Sequence, residues 1–247
     1  MTDTQTENTA LVMSAHAADF VWRAGGAIAL HAKLGYDITV VCLSYGERGE
    51  SAKLWKQGDM TLEKVKASRR KESEAAAKAL DVHDIQFFDL GDYPLEMDRE
   101  AKFRLVDVIR SVQPKFFLSH SFYDPYNTDH AYVTQMVLEC RMIAQAWGHN
   151  PGEKVLGAPQ VYLFEPHQTE QMQWKPDVFL DITEVWDKKR AAIECMQGQE
   201  HLWNYYTNVA ENRGNHFRRN SGGMAGGRDA RYAEGFQSVF PRTVDQL

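Results

Sequence analysis

Leu11-Val12-Met13-Ser14-Ala15-His16-Ala17-Ala18-Asp19-Phe20-Val21-Trp22-Arg23-Ala24-Gly25-Gly26 is the stretch that decides the fold. Its first part is an apolar run with the composition of a buried strand. From Trp22 the spacing becomes helical and continues to Leu34. The junction is a strand-to-helix turn carrying His16 and Asp19, two metal-ligand residue types three positions apart. Both intervening positions, where a carboxylate could act as a base, are alanine. The turn reads as a metal site whose chemistry has been changed.

Outward from this turn the same alternation repeats. Strand-like runs fall at Ala10–Ala15, Ile38–Tyr45, Ile85–Leu90, Phe116–His120, Val161–Phe164 and Val178–Ile182. Amphipathic helical patterns fall at Trp22–Leu34, Leu62–Leu80, Glu100–Val112 and His130–Trp147. Near-continuous apolar strands alternating with helices predict an α/β fold. We expect a Rossmann-like, doubly wound, mostly parallel sheet with helices on both faces. One domain is expected over residues 1–247. After Asp187 the chain reads as helical, then Gly-rich and basic from Asn212 to Arg231. Residues from about 200 to 247 are expected to form a C-terminal Gly/Arg-rich extension, acting as a lid or an oligomer contact.

Composition bounds the function. The chain has 247 residues, 43% hydrophobic content and a net charge of −6, with a pI near 5.9. That is enough for a sizeable core, and nothing in it resembles a basic nucleic-acid footprint. Cys42, Cys140 and Cys195 are sparse and lack a C-x-x-C pattern, as expected of reduced thiols. The polar N-terminus lacks the pattern of a signal peptide, and no window reaches the roughly 18 apolar residues of a membrane span. A cytoplasmic protein that binds neither membrane nor nucleic acid is expected.

In open α/β sheets, ligands bind beyond the carboxyl ends of the strands. His16 and Asp19 follow the first predicted strand, and Tyr45 to Glu50 follow the second. Gly91-Asp92, His120 to His130, and Glu165-Pro166-His167 follow the next three. Five polar clusters thus converge on one sheet edge. Imidazole and carboxylate donors with an open position suit Zn²⁺. His16 and Asp19 supply two ligands, and His130 is the best third, with His120 as its competitor.

The motifs resemble a known family. Ala15-His16-Ala17-Ala18-Asp19, Gly25-Gly26, Gly46 to Glu50, Arg69 to Glu72 and Asp124 to His130 occur in the order seen in the LmbE/PIG-L superfamily of zinc-dependent de-N-acetylases. Ala230 to Phe236 is similar to the family's ending. The resemblance implies zinc held by His16, Asp19 and His130. It also implies substrate contacts at Arg69 and Asp92. Three positions depart from the family pattern: Ala18 replaces the deacetylase general base, Ala17 stands at the family's proline position, and Asn127 stands where some members carry an oxyanion-assisting histidine. Loss of a positioned base slows such a reaction by about 100- to 10,000-fold.

The run from Ser14 to Gly26 resembles a non-hydrolytic branch of the superfamily, the 4-oxalomesaconate hydratases. That resemblance implies zinc-assisted addition of water to 4-oxalomesaconate, or its tautomer 4-carboxy-2-hydroxymuconate. The product would be 4-carboxy-4-hydroxy-2-oxoadipate, an intermediate of gallate and protocatechuate catabolism. Such a hydratase needs a proton acceptor and a proton donor. Glu47 is the expected base, with Glu50 as fallback, and His167 is the expected acid. A tricarboxylate substrate needs cations: Arg48, Arg69 and the tail residues Arg213, Arg218, Arg219 and Arg228 are available, with Arg218 taken as the tail's contact. Arg23 either faces the site or packs in the first helix. Asn127 is expected at the substrate. A homo-oligomer is expected from the resemblance. Two other readings stay open: a zinc de-N-acetylase of an N-acetyl sugar or related amide, and an inactive metal-binding relative.

Overall fold

The structure, a computed structural model, describes residues 8–222 and 229–241. The opening stretch folds as β1 (Thr9–Ser14) followed by α1 (Asp19–Lys33). The alternation continues through β2 (Asp37–Cys42), α2 (Ala52–Trp55), α3 (Leu62–Ala79) and β3 (Asp84–Phe87). Then come α4 (Arg99–Val112), β4 (Phe116–Ser119), α5 (Thr128–Gln145) and β5 (Gln160–Phe164). β6 (Val178–Asp181), α6 (Trp186–Cys195), α7 (Trp203–Asn220) and β7 (Ala233–Ser238) complete the described chain.

Among the described residues the sheet has seven strands in the order β3-β2-β1-β4-β5-β7-β6. β1 to β5 pair in parallel. β1 explains why its sequence is apolar throughout. Ala10 and Val12 join the core beneath α1, α3, α6 and α7, while Leu11 and Met13 join the core beneath α4 and α5. Both faces of the strand are covered, so no polar alternation survives. The mostly parallel, two-faced α/β architecture matches the sequence expectation. The chain builds β2 and β3 on one side of β1 and then crosses to β4 on the other. The crevice between the carboxyl ends of β1 and β4 is therefore the topological switch point.

One strand was not legible. β7 carries Ala233-Glu234-Gly235-Phe236-Gln237-Ser238, too polar and too Gly-rich to read as a strand. It nevertheless lies between β5 and β6, antiparallel to both. This part of the expected C-terminal extension is built into the sheet. The Gly222-Gly223 and Gly226-Gly227 pairs of the Gly-rich stretch fall largely outside the described residues, as does Arg228.

β7 is fastened to α1 by a buried carboxylate. Glu234 accepts the amides of Gly26 and Ala27, each at 2.7 Å, and pairs with Lys189 Nζ at 2.6 Å. Gly26 makes this approach possible: a Cβ there would lie 2.5 Å from the Ile182 side chain and 2.9 Å from Glu234 Oε1. Both charged partners are buried, so removing one strands the other. Glu234→Ala is expected to lower stability by about 3–5 kcal/mol. A fall in the urea midpoint at unchanged slope would register this loss; a midpoint equal to that of the wild type would refute it.

Candidate metal centre

The turn after β1 is pinned by three hydroxyls. Ser14 Oγ donates to the His16 carbonyl at 2.6 Å, Ser44 Oγ to the Ala15 carbonyl at 2.9 Å and Ser73 Oγ to the Ala17 carbonyl at 2.6 Å. Asp19 closes the turn on itself: Oδ2 accepts the His16 amide at 2.8 Å. The result fixes the His16 ring and the Asp19 carboxylate on one side of the first turn of α1. On the other side of the switch point, Asp124 Oδ1 accepts the amides of Tyr126 and Asn127. Asn127 then caps α5 by accepting the Asp129 amide at 3.2 Å. The cap starts α5 early enough to put His130 in its first turn.

These two turns and the loop after β2 bring together His16, Asp19, Glu50 and His130, with one ligand atom from each within 4.8 Å of the others. His16 Nδ1 lies 3.2 Å from Asp19 Oδ2 and 3.2 Å from Glu50 Oε1. His130 Nε2 lies 3.4 Å from Asp19 Oδ1. Each imidazole is aimed by a carboxylate behind it. Asp129 Oδ2 holds His16 Nε2 at 3.3 Å, and Asp124 Oδ2 holds His130 Nδ1 at 2.8 Å. Asp129 is itself fixed by the amides of Tyr93 and Leu95, both at 3.1 Å. This carboxylate–histidine arrangement leaves His16 Nδ1 and His130 Nε2 turned inward.

Electrostatics favour a cation there. Burial penalises a charged His16, yet Glu50, Asp129 and Asp19 hold its pKa well above the usual imidazole value. Burial also opposes ionisation of Asp19, but His130 and His120 drive its pKa well below the carboxylate range. His130 Nε2 and Glu50 Oε2 are buried without a hydrogen-bond partner. A cation would satisfy both and replace the proton on His16. The residues thus fit a metal ion with nitrogen and oxygen donors.

The expected ligand triad comes together, and Glu50 joins it. His120, the competitor, has its Nε2 committed to the Ala15 amide at 3.0 Å, and it stacks on His130 at 4.2 Å. Glu47 sits deeper, its Oε2 accepting the Tyr45 amide at 3.1 Å, with burial raising its pKa. Asp92 accepts the amides of Arg48 and Gly49, so it shapes the loop that presents Glu50. The exposed Arg48 donates Nη1 to the Asp92 carbonyl. Arg69 is fully buried against the Tyr45 carbonyl, Glu72 and Gln199. Arg213 forks onto Glu165, and Arg218 binds the Ala230 carbonyl and Asn215. Arg219 is exposed. His167 stacks on Tyr205 at 4.4 Å, and burial, with Arg23 nearby, lowers its pKa.

Sequence reasoning missed the orienting roles of Asp124 and Asp129, though Asp129 stands directly before His130. It also missed Tyr93, whose ring lies 6.0 Å from that of His16, nearly parallel to it. Tyr93 has a left-handed φ of 46°, and a Cβ on Gly49 would fall 1.2 Å from its ring. No periodicity encodes that contact.

Comparison with known proteins places these observations in a family. Residues 11–141 match the PIG-L family model, described as GlcNAc-PI de-N-acetylase. A 4-oxalmesaconate hydratase of Pseudomonas putida is 61% identical over 98% of this chain and 93% of its own length. The crystal structure of the 4-carboxy-2-hydroxymuconate hydratase of Pseudomonas putida superposes with a TM-score of 0.95. It shares 62% identity over 97% of this chain and 99% of that one. The N,N'-diacetylchitobiose deacetylase of Pyrococcus horikoshii shares the fold, with a TM-score of 0.76 and 23% identity over 94% of this chain and 84% of that one.

The orienting carboxylates carry a direct expectation. Asp129→Asn should leave the fold intact and weaken metal affinity by about 10- to 100-fold. Competition with a chromophoric chelator measures this; an affinity equal to that of the wild type would remove Asp129 from the metal's support.

Proposed function

The chain belongs to the PIG-L family of GlcNAc-PI de-N-acetylases, and from that membership we propose that it is a zinc-dependent hydratase rather than a hydrolase. It adds water to 4-carboxy-2-hydroxymuconate, or its tautomer 4-oxalomesaconate, giving 4-carboxy-4-hydroxy-2-oxoadipate. The near-full-length likeness to the Pseudomonas putida hydratases carries this reading. Ala18 gives it a physical basis: it is fully buried on the metal-facing turn and brings no carboxylate to activate water for amide hydrolysis.

His16, Asp19 and His130 would hold the zinc, with Glu50 at its open side. When bound, the ion supplies Lewis acidity to the oxygens of the substrate. Glu50 takes the role first expected of Glu47. Its Oε2 has no protein partner, whereas Glu47 Oε2 is committed to the Tyr45 amide. Glu50 orients the attacking water and takes its proton. Burial and Arg23 lower the His167 pKa, which makes its protonated form a stronger acid for proton delivery to the neighbouring carbon. Asp92 and Arg69 act through the loop that carries Glu50, and Asn127 through the helix that carries His130. A cytoplasmic homo-oligomer completes the proposal. The three cysteines are free thiols, and no described helix is long and apolar enough to cross a membrane.

Loss of the conjugated dienoate absorbance follows the reaction. Purified protein should turn over the muconate, lose that activity to a chelator, and regain it with Zn²⁺. Hydrolysis of N-acetylglucosamine derivatives with no muconate turnover would overturn the proposal. Glu50→Gln and His167→Ala should each lower kcat by about 100- to 10,000-fold in metal-loaded protein. Metal content is measured on the same samples, and unimpaired kcat would exclude the residue concerned.

A further inference from the structure

Arg23 lies one turn into α1, four residues after Asp19, and its side chain is only 6% exposed. A guanidinium carries five N–H donors in a planar fork and cannot shed its charge in a protein. Burying it with unspent donors is unfavourable unless something accepts them. Nη1 donates to the Glu165 carbonyl at 2.9 Å. Nε is buried with no hydrogen-bond partner, its ion-pair partner Asp19 Oδ1 lying 3.6 Å away. Nη2 donates to none of the described residues.

The location gives these donors meaning. Asp19, Asp124 and Glu50 all act electrostatically on Arg23, and Arg23 acts on His167. Its Nε faces Asp19 Oδ1 at 3.6 Å and its Nη1 holds the Glu165 carbonyl, so the guanidinium links the metal-facing Asp19 to the loop after β5 that carries His167. Its neighbourhood is acidic, and an anionic substrate entering it meets repulsion that a fixed cation offsets. Three of the arginines expected to serve that purpose are engaged by other groups. Arg69 is engaged by Glu72 and Gln199, Arg213 by Glu165, and Arg218 by Ala230 and Asn215.

We propose that Arg23 is the receptor for a substrate carboxylate, gripped by Nε and Nη2 while the reacting carbons lie between Glu50 and His167. This rests on the hydratase reading for the identity of the acid. The grip itself requires only a carboxylate. A planar two-point contact of this kind needs arginine, because lysine offers a point charge without the fork.

A comparison of two probes tests the grip apart from turnover. cis,cis-Muconate and its dimethyl ester are titrated calorimetrically into the zinc-loaded wild type, Arg23→Met and Arg23→Gln. The wild type should prefer the diacid by about 10- to 100-fold, the range of a charge-assisted contact. In both variants that preference should fall to within about threefold, and kinetic measurement should show a larger rise in KM than fall in kcat. Arg23→Gln keeps a shorter, polar side chain and carries the test if Arg23→Met fails to fold. A role confined to holding the Glu165 carbonyl would lower the melting temperature and leave the diacid-to-ester ratio unchanged, which overturns the proposal. Equal binding of the two probes by the wild type overturns it as well. A wild type that binds the diacid preferentially but does not hydrate the muconate contradicts the hydratase reading and leaves the receptor standing.

Discussion

Buried carboxylates and imidazoles crowded into one crevice need a cation, and the rest of the site is arranged around that need. Asp19, Glu50, His16 and His130 converge at the switch point between β1 and β4. Asp124 and Asp129 stand directly behind the two histidines. Burial penalises charge on each of these groups, yet Glu50, Asp129 and Asp19 together hold the His16 pKa well above the usual imidazole value, so the crevice favours positive charge. Everything near the crevice restrains it: the serine hydroxyls on the first turn, the Asp92 carboxylate under the Glu50 loop, and the Asn127 cap of α5.

The same scaffold explains how one family supports two reaction classes. The metal-facing groups depend on the turn geometry, and the turn is held by backbone carbonyls and serines that do not involve position 18. The hydroxyl contacts that hold the turn therefore do not depend on the side chain at position 18, which is fully buried as alanine. In this chain it is alanine, and the proposed proton transfers are assigned to groups delivered by other loops. Glu50 arrives from the loop after β2 and His167 from the loop after β5. Arg23 reaches from α1 to Asp19 and to the Glu165 carbonyl.

Much of the fold was legible because β1 to β5 are buried on both faces and read as unbroken apolar runs. β7 was not, because its place in the sheet depends on pairing with β5 and β6 rather than on apolar content. Its Glu234 looks like an exposed charge in the sequence and is instead a buried fastening for α1. The ligand types and their sheet edge were legible at His16, Asp19 and His130. The choice between Glu47 and Glu50 was not: both lie on one Gly-rich turn, and only its three-dimensional path sends one carboxylate to the Tyr45 amide and the other to His16.

The sequence alone determined the strand-turn-helix that carries His16 and Asp19, the parallel α/β layering and the missing carboxylate at Ala18. Local composition and periodicity specify the first two, and the family resemblance marks the third. Tertiary structure alone decided which partners those residues meet. It placed Glu50 rather than Glu47 at the metal-facing group, withdrew His120 to the Ala15 amide, and left Arg23 buried with donors unspent. Each outcome depends on distances between segments remote in the chain, set by the packing of two cores and invisible to any local pattern.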